Sequence, residues 1–348
     1  MTQTALKSSS APAEVPKAIE ALASTLSDDM RGVNAMILQQ LGSQIPLIPQ
    51  VAQYLIAAGG KRLRPLLCVA SARMLGDTSS HSHELAAAIE FIHSASLLHD
   101  DVVDESSLRR GKPSANETFG NQASVLVGDF LFARAFEFMV ATGNLEILQV
   151  LATTSTKITE GEVLQLTLAG DIKTREEDYL RVIESKTASL FSAAAETGAI
   201  LGNIALKQPS DSAKIIRNAM REFGYNLGMA FQLIDDALDY SADAGKLNKN
   251  LGDDFREGKL TLPVILAIKS GNDDERAFWQ SALGTQDADD TLFTKAQDLM
   301  QKYDVMPQVR TKAENFAAKA RSALSRIPDH PLQSQLMAVI DDVISREG

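Results

Sequence analysis

Residues 84–104 read ELAAAIEFIHSASLLHDDVVD and residues 222–240 read EFGYNLGMAFQLIDDALDY. Apolar residues recur in both at three- and four-residue spacing, which predicts helices. Both runs are apolar on much of their circumference, as suits the centre of a large helical bundle. Both end in aspartates spaced i, i+1 and i+4: Asp100, Asp101 and Asp104 in HDDVVD, and Asp235, Asp236 and Asp239 in IDDALD. On a helix, i and i+4 stack on one face and i+1 lies about 100° round. Asp100 and Asp104 therefore point together, as do Asp235 and Asp239, with Asp101 and Asp236 on the flanks.

Three carboxylates in the last turn of an apolar helix repel one another and oppose the helix macrodipole. Aspartate is also a poor helix former. Divalent cations remove the conflict, and magnesium takes one or two carboxylates while leaving positions for water and phosphate oxygens. A solvated helix end accounts for an isolated acidic triplet. Two triplets of identical spacing on apolar helices point instead to facing clusters that grip a diphosphate through metal ions. On ideal geometry Ile89, His93, Ser96, Asp100 and Asp104 share one stripe, and Gly228, Phe231, Gln232, Asp235 and Asp239 share another. Gly228 leaves room for a ligand or for close helix packing.

Helical periodicity continues outward over 17–42, 46–58, 62–75, 121–142, 145–169, 177–201, 211–241, 260–270, 306–326 and 331–346. Alternating strands are not visible, so the expected fold is all-α: a single-domain bundle of long helices. The tail at 1–16 reads as disordered, and 17–348 as one catalytic domain. The polar, glycine-containing stretch from Asp243 to Gly258 predicts a loop. Trp279 falls in a polar helical region far from the aspartate motifs.

The chain has 348 residues, 45% of them hydrophobic, and a net charge of -11. That balance argues against a nucleic-acid binder, which needs a basic face. The one cysteine, Cys68, excludes an internal disulfide, and its apolar neighbours predict a buried thiol. No apolar run is long enough for a membrane span, and no signal peptide is visible, so a cytoplasmic location is expected.

Several cations accompany the acidic clusters. GGKRLRP at 59–65 offers Lys61, Arg62 and Arg64. These could grip an anion, although a basic helix start or an exposed loop would read the same. Arg109 and Arg110 follow the first cluster, Lys186 and Thr187 lie in ESKTASLF, and Lys249 and Lys259 flank GDDFREG.

With GGKRLRP, LLHDDVVDESSLRRG, VGDFL, KTASLF, GMAFQLIDDALDY and KNLGDDFREGKLTLP in that order, the chain resembles the trans-prenyl diphosphate synthases. The resemblance implies a magnesium enzyme, with about three ions per active site, that is usually a homodimer. It adds isopentenyl diphosphate to an allylic diphosphate. Asp100, Asp101, Asp104, Asp235 and Asp236 look like the magnesium ligands, with Asp239 an outer participant. Arg109, Lys186, Lys249 and Lys259 look like contacts of the allylic diphosphate. Lys61, Arg64, His93 and Arg110 look like the isopentenyl diphosphate site, and Arg62 matches the string without a firm role. Gln232 and Thr187 resemble residues near the ionising bond.

In that family, bulky residues shortly before the first cluster block the growing chain. Ala95 and Ser96 are small, which implies a product of about forty to fifty carbons, such as a quinone side-chain precursor, shielded in a dry cavity. Small residues there would equally ease helix packing. Phe132 or Phe136 on the next helix could form the cavity floor. The C-terminus, ISREG, lacks the basic tail of some short-chain members. A shorter-chain synthase, a class I terpene cyclase and a non-catalytic synthase subunit are the competing readings. A cyclase would favour aromatic walls, and aromatics are 5% here. A non-catalytic subunit would be expected to lose an acidic cluster.

Overall fold

The two decisive runs form the long helices of the computed structural model, which describes residues 17–57, 60–109, 111–241, 251–283 and 290–346. The chain begins with α1 (Lys17–Thr25), α2 (Ser27–Gln40), α3 (Leu47–Ala57), α4 (Leu63–Met74) and α5 (His81–Val103). A short hairpin, β1 (Leu108–Arg109) with β2 (Lys112–Pro113), leads into α6 (Ala115–Phe119), α7 (Asn121–Ala141) and α8 (Leu145–Leu168). Then α9 (Glu176–Ile183) runs through a π-helical turn, Glu184–Ala188, into α10 (Ser189–Ala205). After α11 (Ser210–Leu238) come α12 (Asp253–Arg256), α13 (Leu262–Ser270), α14 (Asp273–Ala282), α15 (Asp290–Lys302), α16 (Val305–Leu324) and α17 (Pro331–Ile344).

The expected all-α class holds, with local differences. The first predicted helix is interrupted at Leu26. The hairpin is two residues a side, too short for any period-2 signal. Helices α14 and α15 have no clear bounds in the sequence because acidic and polar residues dominate them. Yet α14 buries Phe278 and Trp279, and α15 buries Phe293 and Met300. A helical turn, α12, interrupts the predicted loop. The proposed tail at 1–16 lies outside the described residues.

Two apolar clusters make up the core. The larger joins α1–α8, α10, α17, the C-terminal half of α16 and the N-terminal two-thirds of α11. The smaller joins α9, α13–α15, the start of α16 and the C-terminal turns of α11. Helix α11 thus runs through both and delivers its aspartates beside the smaller one. In α4 every residue from Leu66 to Ala70 is fully buried, and α10 is buried without a break from Ala193 to Asn203. Each fully buried large apolar side chain contributes about 2 kcal/mol.

Cys68 lies in this core, and burial pushes its thiol up to about 12. The native protein is therefore expected to resist a thiol reagent at pH 8 and to react after unfolding in urea. Reaction of the folded protein at the rate of a free thiol would contradict this placement. Among the described residues, no helix is long and apolar enough to cross a membrane.

Candidate active site

Helices α5 and α11 end one residue before Asp104 and Asp239, so the last aspartate of each cluster is the helix C-cap. The six carboxylates have different surroundings. Asp101 is fully buried and takes a forked ion pair from Arg109: Nε lies 2.8 and 3.0 Å from its two oxygens, and Nη2 lies 2.6 Å from Oδ1. The hairpin makes this possible by turning the chain back on α5. It is pinned by the Ser114 hydroxyl and the Asn116 amide, which both donate to the Ser106 carbonyl, and by the Tyr54 hydroxyl donating to that of Pro113. Arg109, expected on the allylic diphosphate, here braces the first cluster.

Asp104 accepts from Lys259 Nζ at 2.9 Å, and Lys259 also pairs with Glu257. Burial works to lower the Lys259 pKa, but Asp254, Asp104 and Glu257 together hold it above the usual range. Asp254 in turn donates its backbone N–H to Asp239 Oδ2 at 3.1 Å and acts electrostatically on Asp236. The two clusters are therefore bridged through Lys259 and Asp254. The motif segment carrying these residues is anchored by Phe255, fully buried edge-on against Trp279 with ring centroids 6.3 Å apart. Trp279 is thus not remote from the motifs, as its polar sequence context suggested; it is part of their foundation.

On α11, Asp236 accepts from the Tyr179 hydroxyl and from Gln232 Nε2, each at 2.6 Å. Gln232 Oε1 accepts from the Thr187 hydroxyl at 2.8 Å. This chain of hydrogen bonds links α11 to the π turn and to α9. Burial, and then Asp254, push the Asp236 carboxyl up to about 7. Burial also raises Asp100, with Lys186 opposing and Asp104 adding to the shift.

The π turn that carries Lys186 and Thr187 lies close against two helices. A Cβ on Gly228 would come within 2.7 Å of Ala188 Cα, so close helix packing is what that glycine serves. Gly228→Ala is expected to destabilise the fold by about 2 kcal/mol through overpacking against backbone, seen as a lowered denaturation midpoint. An unchanged midpoint would show that α11 can move away freely. On the other side, a Cβ on Gly161 of α8 would sit 2.6 Å from Ser185 Cβ. This approach brings Glu162 into contact with Lys186 and places Gln165 Oε1 3.1 Å from Lys186 Nζ. Burial, then Asp100, raises the Glu162 carboxyl to about 7.

A second cationic group lies across the site. Arg64 Nη1 is 3.2 Å from His93 Nε2, and the guanidinium stacks 4.5 Å from the Phe191 ring centroid. Burial lowers Arg64 to about 10, partly offset by Glu90 and Asp235. Arg62 starts α4 with a left-handed φ of 45°. Its Nη1 and the Nε of Arg64 are buried donors without a hydrogen-bond partner. Buried orphan donors on two neighbouring guanidiniums suit an anionic ligand. Lys61 adjoins them in sequence.

The structure thus gathers Asp100, Asp101, Asp104, Lys186, Thr187, Gln232, Asp235, Asp236, Asp239 and Lys259 with Arg109, and links Arg64, in contact with His93, electrostatically to Asp235. Arg110 and Lys249, also expected at the site, lie outside the described residues. Ala95 is buried beneath the first cluster, and Ser96 is half-buried with its hydroxyl donating to the His93 carbonyl. Phe132 and Phe136 meet edge to face at 5.3 Å.

Sequence reasoning missed four contributors. Glu162 and Gln165 are one helical turn apart in GEVLQL, and that acid–amide spacing was the available signal. Tyr179 gave none. ISREG lacks a basic tail, and its single arginine, Arg346, nevertheless lies near the second cluster. Its guanidinium lies 4.6 Å from the Phe231 ring centroid, and burial lowers its pKa while Asp235 opposes that shift.

Among the described residues, no group of three or more His, Cys, Asp or Glu side chains is arranged to hold a metal ion as they stand. The donor set nevertheless fits magnesium. It is all-oxygen, and burial raises the Asp100 and Asp236 carboxyls, a shift that a nearby divalent cation would oppose.

Buried acids paired with lysines, together with orphaned arginine donors, make an arrangement that suits an anionic ligand. The polyprenyl synthetase family model matches residues 45–300. Octaprenyl diphosphate synthase of Escherichia coli is 43% identical over 94% of this chain and 99% of its own. A decaprenyl diphosphate synthase from Rhodobacter capsulatus superimposes with a TM-score of 0.87 at 47% identity, covering 94% of this chain and 100% of that one. A polyprenyl synthase from Caulobacter crescentus, solved with calcium and isoprenyl diphosphate, gives 0.88 at 44% identity, covering 96% and 100%. The chain belongs to the polyprenyl synthetase family and is a prenyltransferase. The expected long-chain polyprenyl diphosphate synthase agrees with these relatives.

Proposed function

We propose that the protein condenses isopentenyl diphosphate head-to-tail onto an allylic diphosphate, with magnesium, to a product of about forty to fifty carbons held in a water-excluding bundle. The observation that carries this reading is the pair of aspartate clusters bridged by Lys259 and Asp254, with Arg62 and Arg64 donors unpaired nearby.

Asp100, Asp104 and Asp235 would hold magnesium, with Asp101, Asp236 and Asp239 supporting them. Magnesium, when bound, neutralises the allylic diphosphate and so improves it as a leaving group. Lys186 and Lys259 add positive charge on the same side, and Lys249 is assigned there by resemblance. Thr187 and Gln232, already hydrogen-bonded to each other, present their dipoles near the ionising bond. Arg64, His93 and Lys61, with Arg110 by resemblance, orient the second diphosphate, so that its double bond meets the allylic cation. The departing diphosphate accepts the proton lost from the adduct. The apolar walls keep water from the cation.

We also propose a homodimer working in the cytoplasm on a quinone side-chain precursor. Exposed apolar residues on α7 and α8, among them Leu126, Val140, Leu145, Val163 and Leu166, support the dimer. The test is incubation with magnesium, farnesyl diphosphate and labelled isopentenyl diphosphate. A product ladder ending at about forty to fifty carbons supports the reading. A product of about fifteen to twenty carbons would leave the reaction and remove the chain length.

A further inference from the structure

Lys186 has two acidic claimants. Its charge acts on Asp100, the first aspartate of the motif, and on Glu162 of α8. In the structure the ammonium contacts Glu162, with Gln165 as a second acceptor one helical turn along. Both partners of the ion pair are largely shielded, at 17% and 28% side-chain exposure, so the pair is not a loose surface contact. The backbone beneath cannot drift. Gly161, next to Glu162, packs so tightly that an added Cβ would lie 3.1 Å from the Lys186 backbone nitrogen and 2.6 Å from Ser185 Cβ.

A lysine stem is flexible, and its ammonium is a compact point charge that settles by the strongest available anion. Without Glu162, that anion would be Asp100. An ammonium bound to Asp100 would neutralise the carboxylate and cancel its attraction for a divalent cation. Held by Glu162, the same ammonium stays within electrostatic reach of Asp100 without being bound to it.

We propose that Glu162 is a positioning residue: it holds Lys186 ready for the allylic diphosphate and off Asp100, leaving that carboxylate for the cation. The proposal rests on the prenyltransferase reading and assigns Glu162 a task that the aspartate motifs do not include. Gln165 assists by fixing the direction of the ammonium.

The test uses the full-length chain with Glu162→Gln, which keeps shape and loses charge, and Glu162→Asp, which restores charge on a shorter stem. Magnesium-dependent binding of unreactive farnesyl S-thiolodiphosphate is measured by calorimetry, alongside KM for each substrate and thermal melting. Glu162→Gln is expected to weaken analogue binding about tenfold, as removal of supporting partners in metal sites does. It should also raise the magnesium needed for half-saturation. KM for isopentenyl diphosphate and the melting temperature should stay near wild type, and Glu162→Asp should recover most of the loss. Unchanged analogue affinity and magnesium dependence in Glu162→Gln would overturn the proposal. So would a lower melting temperature with both KM values rising together, the mark of a purely structural pair. Wild type that binds the analogue with magnesium but never incorporates isopentenyl diphosphate would refute the function proposed above and leave this comparison readable. Wild type that does not bind the analogue would refute both.

Discussion

Alanine at Asp100, or separately at Asp235, is expected to lower kcat by about a thousandfold, in the range seen when a principal electrostatic stabiliser is removed. The fold should survive. Both side chains keep more exposure than Asp101 and Asp236, which are buried against Arg109 for one and Tyr179 with Gln232 for the other. Alanine at Asp101 or Asp236 would strand those partners as well, so stability and activity would fall together. Asp100 and Asp235 are therefore the cleaner probes. Circular dichroism and single-turnover kinetics would separate the effects. Full turnover in both variants would mean that the clusters are not the catalytic metal site. Because burial already raises Asp100 and Asp104 adds to that shift, Asp100→Ala should also relieve repulsion, and a slight rise in melting temperature is the expected companion.

Phenylalanine at Ala95 is expected to shorten the product to about fifteen to twenty carbons with only a modest change in initial rate, because it alters the room beneath the site and not the charged groups above it. Ala95 is 1% exposed on α5, the helix that carries the first cluster, five residues before Asp100. A phenyl ring there must enter whatever apolar space a lengthening chain would use, or displace neighbouring core side chains. The second route would cost about 1–3 kcal/mol in stability. Product chromatography and melting distinguish the two. An unchanged product distribution in a stably folded variant would show that the chain does not pass Ala95.

What the sequence made legible follows from period and spacing. Helices α5 and α11 announce themselves because their buried faces repeat without interruption, and the aspartate spacing maps directly onto one helical face. Contacts between distant segments leave no such trace. Nothing in the run DDERAFWQSA signals that its tryptophan supports Phe255, which arrives from the loop after α11. Nothing in EEDYLRVI says that Tyr179 donates to Asp236. Arg346 looked inconsequential because one arginine is not a basic tail, yet the packing of α17 decides where it ends. Asp101 and Asp104 appeared as members of one triplet, whereas the returning hairpin and the segment at Lys259 give them separate partners.

The π turn at Glu184–Ala188 has a consequence for the phase of the helix that contains it. Closing bonds over five residues rather than four inserts one extra residue, which rotates everything downstream by about 100° relative to an unbroken α-helix. Before the turn, Tyr179 and Ile183 face the smaller core; after it, Leu190, Phe191 and Ala194 face the larger one. A single continuous rod thereby belongs to two interiors, and Lys186 and Thr187 stand at the change of face. Deleting one residue there would restore regular winding but turn one flank of the rod out of its core, so the placement of Lys186 and the architecture that spans both halves are set by the same supernumerary residue.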